Sequence, residues 1–209
     1  MEALEKLSLG ILRVNTYVAA ARGECLVIDP GGAEVLDLLS RLGCRDVVVA
    51  ITHGHFDHVA AVEPLVARGA VVAAHPLAPR VAEAYAELGV KMGYLTATPR
   101  FGVDIELSEG KTLEAAGLSL RILYTPGHSP DHIVLHEPRL RLAFTGDLIF
   151  MGSIGRVDIA LGDPAAMERS LARIARELPP ETRLLPGHGP ETTLGRELLH
   201  NPYLQRLSP

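Results

Sequence analysis

The sequence predicts an α/β fold built as one domain over residues 1–209, and three observations carry that reading. Apolar, β-branched runs alternate with stretches of helical spacing through the first half of the chain. The second half opens on shorter strands at close intervals and then repeats the strand and helix pattern, so the two halves look alike. No composition shift, flexible linker or short repeat separates the halves, and 47% hydrophobic residues against 22% charged suffice for a full core.

The elements follow in order. Residues 11–20 and "ECLVID" (24–29) read as strands, the second stopped by Pro30, Gly31 and Gly32. Residues 33–43 have the apolar spacing of a helix ending at Gly43, a C-terminal cap that tolerates positive φ. "DVVVAIT" (46–52) is apolar on both faces, as a strand covered on two sides requires. A helix over 59–68, a strand over 70–75 and a helix over 78–89 complete this half. Residues 90–103 show no clean period and hold several turn-formers, so they read as a loop able to overhang a site. Strands are expected at 111–115, 118–124, 132–136 and 141–146. A helix follows from Asp163 as N-cap and Pro164 at its first position, then a strand at 183–186.

Bulk properties narrow the function. A net charge of −5 without any basic run predicts a small-molecule substrate, not nucleic acid or a membrane surface. The N-terminus lacks a basic segment and a small-residue cleavage site, and no apolar run approaches membrane-spanning length. Cys25 and Cys44 have no close spacing, which fits thiols in a reducing cytoplasm, the expected location. Asn and Gln are scarce while Arg and Pro are frequent, a bias compatible with a heat-adapted source.

Chemistry concentrates at strand ends. "HGHFDH" puts His53, His55, Asp57 and His58 just beyond a strand built for burial. Burying three imidazoles and a carboxylate so closely is costly without a cation. His128 in "TPGHSPDH", Asp147 in "FTGDLIF" and His188 in "LPGHG" each follow another strand end and a small residue. Taken singly, any of these histidines is more often a hydrogen-bonded scaffold residue than a ligand. Together the seven have the donor types that hold Zn²⁺, Fe or Mn²⁺. Counting ligands gives one site from His53, His55 and His128 and another from Asp57, His58 and His188, with Asp147 as the shared anion between two divalent cations. Zn is the leading expectation, with Fe or Mn as alternatives.

These motifs, in this order, resemble the metallo-β-lactamase superfamily, and within it the glyoxalase II-like hydrolases, from about residue 10 to 201. The resemblance implies a four-layer αββα sandwich with the site at one edge, and the same ligand set. It implies hydrolysis of a thioester such as an S-acylglutathione by water acidified between the cations, with no serine or cysteine nucleophile. In that reaction Asp147 and Asp57 are the catalytic carboxylates, Asp57 as a proton shuttle. The missing export signal and the absence of a cysteine ligand argue against β-lactamase activity. The alternative from another class is an oxidoreductase resembling persulfide dioxygenases, with one iron on His53, His128 and Asp147. A relative that binds metal or a partner without catalysis is the third reading.

Around the centre, Asp29 is placed either to orient a ligand imidazole or to cap the turn at 30–32. His132 is expected to hold its loop, His75 and His136 to serve the scaffold, and His200 to lie on the surface. Asn15 suits either a reach into the site or the edge of a strand ladder. Ser153 and Arg156 are the expected substrate contacts. By resemblance Arg156 stands where glyoxalase II has a glutathione-binding lysine, and Asp158 replaces that family's tyrosine. An Arg156–Asp158 salt bridge bracing the loop is the competing role.

Overall fold

The computed structural model describes residues 1–207. The chain opens with strand β1 (Ala3–Leu9) and β2 (Val14–Ala21), followed by β3 (Glu24–Ile28), helix α1 (Val35–Arg41), β4 (Asp46–Ile51), α2 (Val62–Val66), β5 (Val71–Ala74), α3 (Ala78–Lys91) and β6 (Ile105–Glu106). The second half contributes β7 (Thr112–Ala115), β8 (Leu118–Tyr124), β9 (Ile133–Glu137), β10 (Leu142–Gly146), the small hairpin β11 (Ile149–Phe150) and β12 (Ser153–Ile154), then α4 (Pro164–Glu177), β13 (Arg183–Pro186), β14 (Thr192–Thr193), α5 (Leu194–His200) and α6 (Pro202–Gln205).

Two six-stranded sheets result, ordered β1-β2-β3-β4-β5-β6 and β14-β13-β10-β9-β8-β7. Side-chain alternation explains how they stack. On β2 and β3, Tyr17, Ala19, Leu26 and Ile28 face the second sheet and meet Leu120, Ile122, Leu135 and Phe144. Val18, Cys25 and Val27 point the other way, into a cluster with Val35, Leu38 and Leu39 of α1 and Val62 and Leu65 of α2. The outer face of the second sheet is covered by Met167, Leu171 and Ile174 of α4 and by Leu194 and Leu204. Helix, sheet, sheet and helix form four layers, as the resemblance implied. Strands buried on both faces must be apolar throughout, which is why 46–52 shows no alternation.

Several elements differ from the expectation. The first strand is β1, read from sequence only as an alternating N-terminus; it pairs antiparallel with β2 from Ala3↔Ala20 to Leu9↔Val14. Residues 11–13 are a turn, not strand, with Gly10 at φ 65° and Arg13 at φ 55°. The helix expected over 59–68 shrinks to α2, because Ala61 donates to Pro30 O and so ties its start to the neighbouring loop. The short elements β6, β11, β12, β14 and α6 carry too few residues for a periodic signal. Asp163 caps α4 by accepting from Ala166 N–H at 3.0 Å, with Pro164 next, as expected.

The cysteines also require correction. Cys25 and Cys44 are joined in a disulfide. The end of α1 brings this about: Cys44 N–H donates to Leu39 O and Gly43 N–H to Ser40 O, with Gly43 at φ 68°. That Schellman cap turns Cys44 back onto β3. The pair lies at the far end of β3 from Asp29. No helix among the described residues is long and apolar enough to cross a membrane.

Candidate metal centre

All seven residues singled out by their strand-end positions come together at one end of the two sheets. Three groups of ligand atoms lie within 4.8 Å of one another: His53, His55 and His128; His53, His58 and Asp147; and Asp57, His58 and His188. Asp147 joins them, its Oδ1 3.4 Å from His58 Nε2 and its Oδ2 3.4 Å from His128 Nε2 and 3.6 Å from His188 Nε2. Asp57 Oδ2 is 3.2 Å from His188 Nε2.

The rings are aimed from behind. His58 Nδ1–H donates to Asp29 Oδ2 at 2.9 Å, His128 Nδ1–H to Arg156 O at 2.8 Å, and His188 Nδ1–H to Leu12 O at 3.0 Å. Each bond fixes the tautomer and leaves Nε2 bare towards the centre. His53 is set one step further out. Thr52 gives its hydroxyl proton to Asp29 Oδ2 at 2.7 Å and so accepts from His53 Nδ1–H at 3.1 Å. Asp29 also accepts from Thr52 N–H at 2.8 Å, so one carboxylate steadies both His53 and His58. Its hydrogen bonds go to Thr52 and His58, and its backbone takes φ 53°, which aspartate tolerates.

Sequence reasoning missed several supports whose partners lie far along the chain. Asp131 accepts from Gly54 N–H at 2.7 Å and from Ser129 Oγ at 2.6 Å, tying the 53–58 loop to the 126–132 loop. Burial raises its carboxyl to about 6. His132 takes Asp147 N–H on Nε2 at 3.1 Å and donates Nδ1–H to Thr125 at 2.9 Å, so besides holding its loop it seats Asp147. Tyr85 lies against the His55 ring at 4.1 Å and bonds Ala160 O. Asn15, for which a reach into the site was one of two expectations, grips the His188 loop through Pro186 O and Gly189 O at 2.9 and 2.8 Å, and Tyr17, which was not expected, donates to Pro186 O as well. Gly187 is required here: a Cβ would strike Asp147 and His58.

The remaining expectations fall as follows. Arg156 and Asp158 pair with each other at 2.9 Å with both side chains exposed, so the contact of Arg156 with the centre is its carbonyl. Ser153 is half-buried on β12 with its carbonyl held by Asn201. His75 stacks on Tyr124, His136 is buried on β9, and His200 ends α5 exposed.

Electrostatics divides the imidazoles into two kinds. Burial, reinforced by neighbouring rings, drives His53 far below the usual range and His55 to about 3, and burial lowers His128. Such shifts favour the neutral ring, the form whose lone pair can bind a cation. Burial would do the same to His58, but Asp57, Asp29 and Asp147 overcome it and raise its pKa. His188 is raised likewise, mainly by its bond to Asp57. Asp147 is depressed despite burial, chiefly by His58.

The donor set fits a pair of metal ions. His58 Nε2, His128 Nε2 and Asp147 Oδ1 are buried without any hydrogen-bond partner, the two rings each facing one oxygen of the Asp147 carboxylate. Orphaned polar atoms of this kind are costly to bury unless something binds them.

A family model described as the metallo-beta-lactamase superfamily matches residues 9–188. The chain belongs to that superfamily. Among its relatives, the hydroxyacylglutathione hydrolase GloC of Haemophilus influenzae is 35% identical over 188 residues, covering 87% of this chain and 88% of that protein. A solved structure, TTHA1623 in a di-iron-bound form, is 39% identical with a TM-score of 0.86, over 96% of this chain and 100% of its own. The B3 metallo-beta-lactamase BLEG-1 is 30% identical with a TM-score of 0.85, over 97% and 99%. Relatives matched over most of this chain thus include a protein named as a hydroxyacylglutathione hydrolase and one named as a B3 metallo-beta-lactamase.

Proposed function

We propose that this superfamily member is a dinuclear metal hydrolase acting on a thioester, with an S-acylglutathione as the substrate to try first. The observation that carries the reading is Asp147, whose two oxygens face the two groups of histidines at once. His53, His55 and His128 would hold one divalent cation and Asp57, His58 and His188 the other, with Asp147 between them. When bound, such a pair polarises a carbonyl and acidifies water near neutral pH.

The chain's own residues do the rest. Asp29, Arg156 O and Leu12 O keep the ring nitrogens directed inward, so little reorganisation is needed on loading. Asp57, 3.2 Å from His188 Nε2 and 3.8 Å from His58 Nε2, is the group placed to hold a proton beside the cluster. A departing thiolate is already a stable anion, so no stronger acid is required. The likeness to GloC supports the glutathione thioester; the exposed Arg156–Asp158 pair leaves its recognition to the residues around the rim.

The test is turnover of S-lactoylglutathione by the metal-loaded chain, set beside a β-lactam and beside oxygen uptake with glutathione persulfide. Thioester hydrolysis well above the other two supports the proposal. Oxygen consumption with persulfide, or lactam turnover exceeding thioester turnover, would overturn the substrate class.

A further inference from the structure

Among the seven clustered side chains, His188 is the least enclosed. Its side chain is 24% exposed, against 10% for Asp147, 7% for Asp57 and 6% for His128. Its Nδ1–H has one acceptor, the carbonyl of Leu12, and Leu12 stands in an exposed turn where Ile11 is 76% and Leu12 itself 41% accessible. A surface turn by itself is a poor anchor for a ring that must aim its Nε2 within a few tenths of an ångström.

What steadies the turn comes from residues 92–95, after α3. The Tyr94 hydroxyl accepts the N–H of Leu12, the same residue whose carbonyl takes the proton of His188 Nδ1. Tyr94 is itself seated on two sides. Its ring lies 5.2 Å from that of Phe56, which sits between His55 and Asp57, and its backbone N–H bonds Gly89 O at 2.9 Å. Two glycines clear the space. A Cβ on Gly10 would collide with the Tyr94 ring, and one on Gly89 would collide with Phe56 and Leu95. The segment therefore packs between the turn and the 53–58 loop, and its hydroxyl meets the one exposed peptide that orients His188.

We propose that Tyr94 is a positioning residue for His188: its hydroxyl fixes Leu12, and Leu12 fixes the imidazole of the second metal site. The metal part of this inference rests on the dinuclear reading above; the structural part does not.

The experiment uses Tyr94→Phe in the full chain, which keeps the ring in its notch and deletes only the acceptor. In the metal-free protein, the Leu12 amide should exchange with solvent about tenfold faster or more. The ring-nitrogen NMR signals of His188 should change from a single Nδ1–H tautomer to a mixture. Those of His58, held by Asp29, should stay as in the unsubstituted chain. In zinc titrations against a chelator, the second equivalent should bind about tenfold more weakly while the first is unchanged. Unchanged Leu12 exchange together with an unchanged His188 tautomer would overturn the proposal, as would equal loss of both zinc equivalents. If the unsubstituted chain takes up fewer than two zinc ions, the dinuclear reading fails, and the Leu12 and His188 signals still decide for or against Tyr94.

Discussion

The two halves of the molecule supply the centre in opposite ways. The first half delivers four of the seven residues from one six-residue loop after β4, with Asp29 alongside from the end of β3. The second half delivers one at a time: His128 after β8, Asp147 after β10 and His188 after β13. The first loop is deeply buried and cross-braced by Thr52, Asp29 and Asp131. The later residues lean on long-range bonds, from His132 to the Asp147 backbone, from Arg156 O to His128 and from Leu12 O to His188. Ligands clustered in sequence come as a set, whereas ligands dispersed along the chain need a separate brace each. The first group should therefore tolerate perturbation elsewhere better than the second.

Substitutions can break this contrast, and Asp147→Ala should do the most. It removes the carboxylate that faces both groups, so bound metal and thioester turnover should fall below detection in metal analysis and a thiol-release assay. Circular dichroism should still report the native fold. His188→Ala comes next and should divide the halves: one metal per chain retained on His53, His55 and His128, with turnover lost. Retention of two metals would contradict the assignment of His188. Asp29→Asn should be milder, weakening metal about 10- to 100-fold, because an amide whose oxygen accepts from the Thr52 hydroxyl and His58 turns its NH2 against the Thr52 backbone N–H that the carboxylate accepts. Since Asp29 serves His53 as well as His58, both equivalents should weaken, as chelator competition would show. Cys25→Ser should touch the centre least. Losing a bridge across a 19-residue separation costs about 3 kcal/mol of stability in denaturant titrations, while metal content stays as it was.

How much of this was legible in the sequence follows the same division. His53, His55, Asp57 and His58 announce themselves because their spacing is local, and the three later residues were found through their shared setting after an apolar strand. The four layers came from the resemblance; the residues themselves gave an α/β domain with strands covered on both faces. Tyr94, Asp131 and Tyr85 were invisible because their partners lie 82, 77 and 75 residues away. Nothing in "GYL" or "SPDH" marks a side chain for a distant backbone group. Cys25 and Cys44 were misread for a related reason: no spacing motif joins them, and only the reversal at Gly43 brings them together. The strand β1 was lost to its position at a sheet edge, where one face is solvated and the apolar signal is thin.

The central claim is that seven side chains from both halves hold two cations about one shared carboxylate. Its most direct test is the metal content of the full chain after loading with zinc and removal of the excess. The account predicts two zinc ions per chain, falling to none detectable in Asp147→Ala. A single ion in the unsubstituted chain, or two ions retained without Asp147, would contradict it.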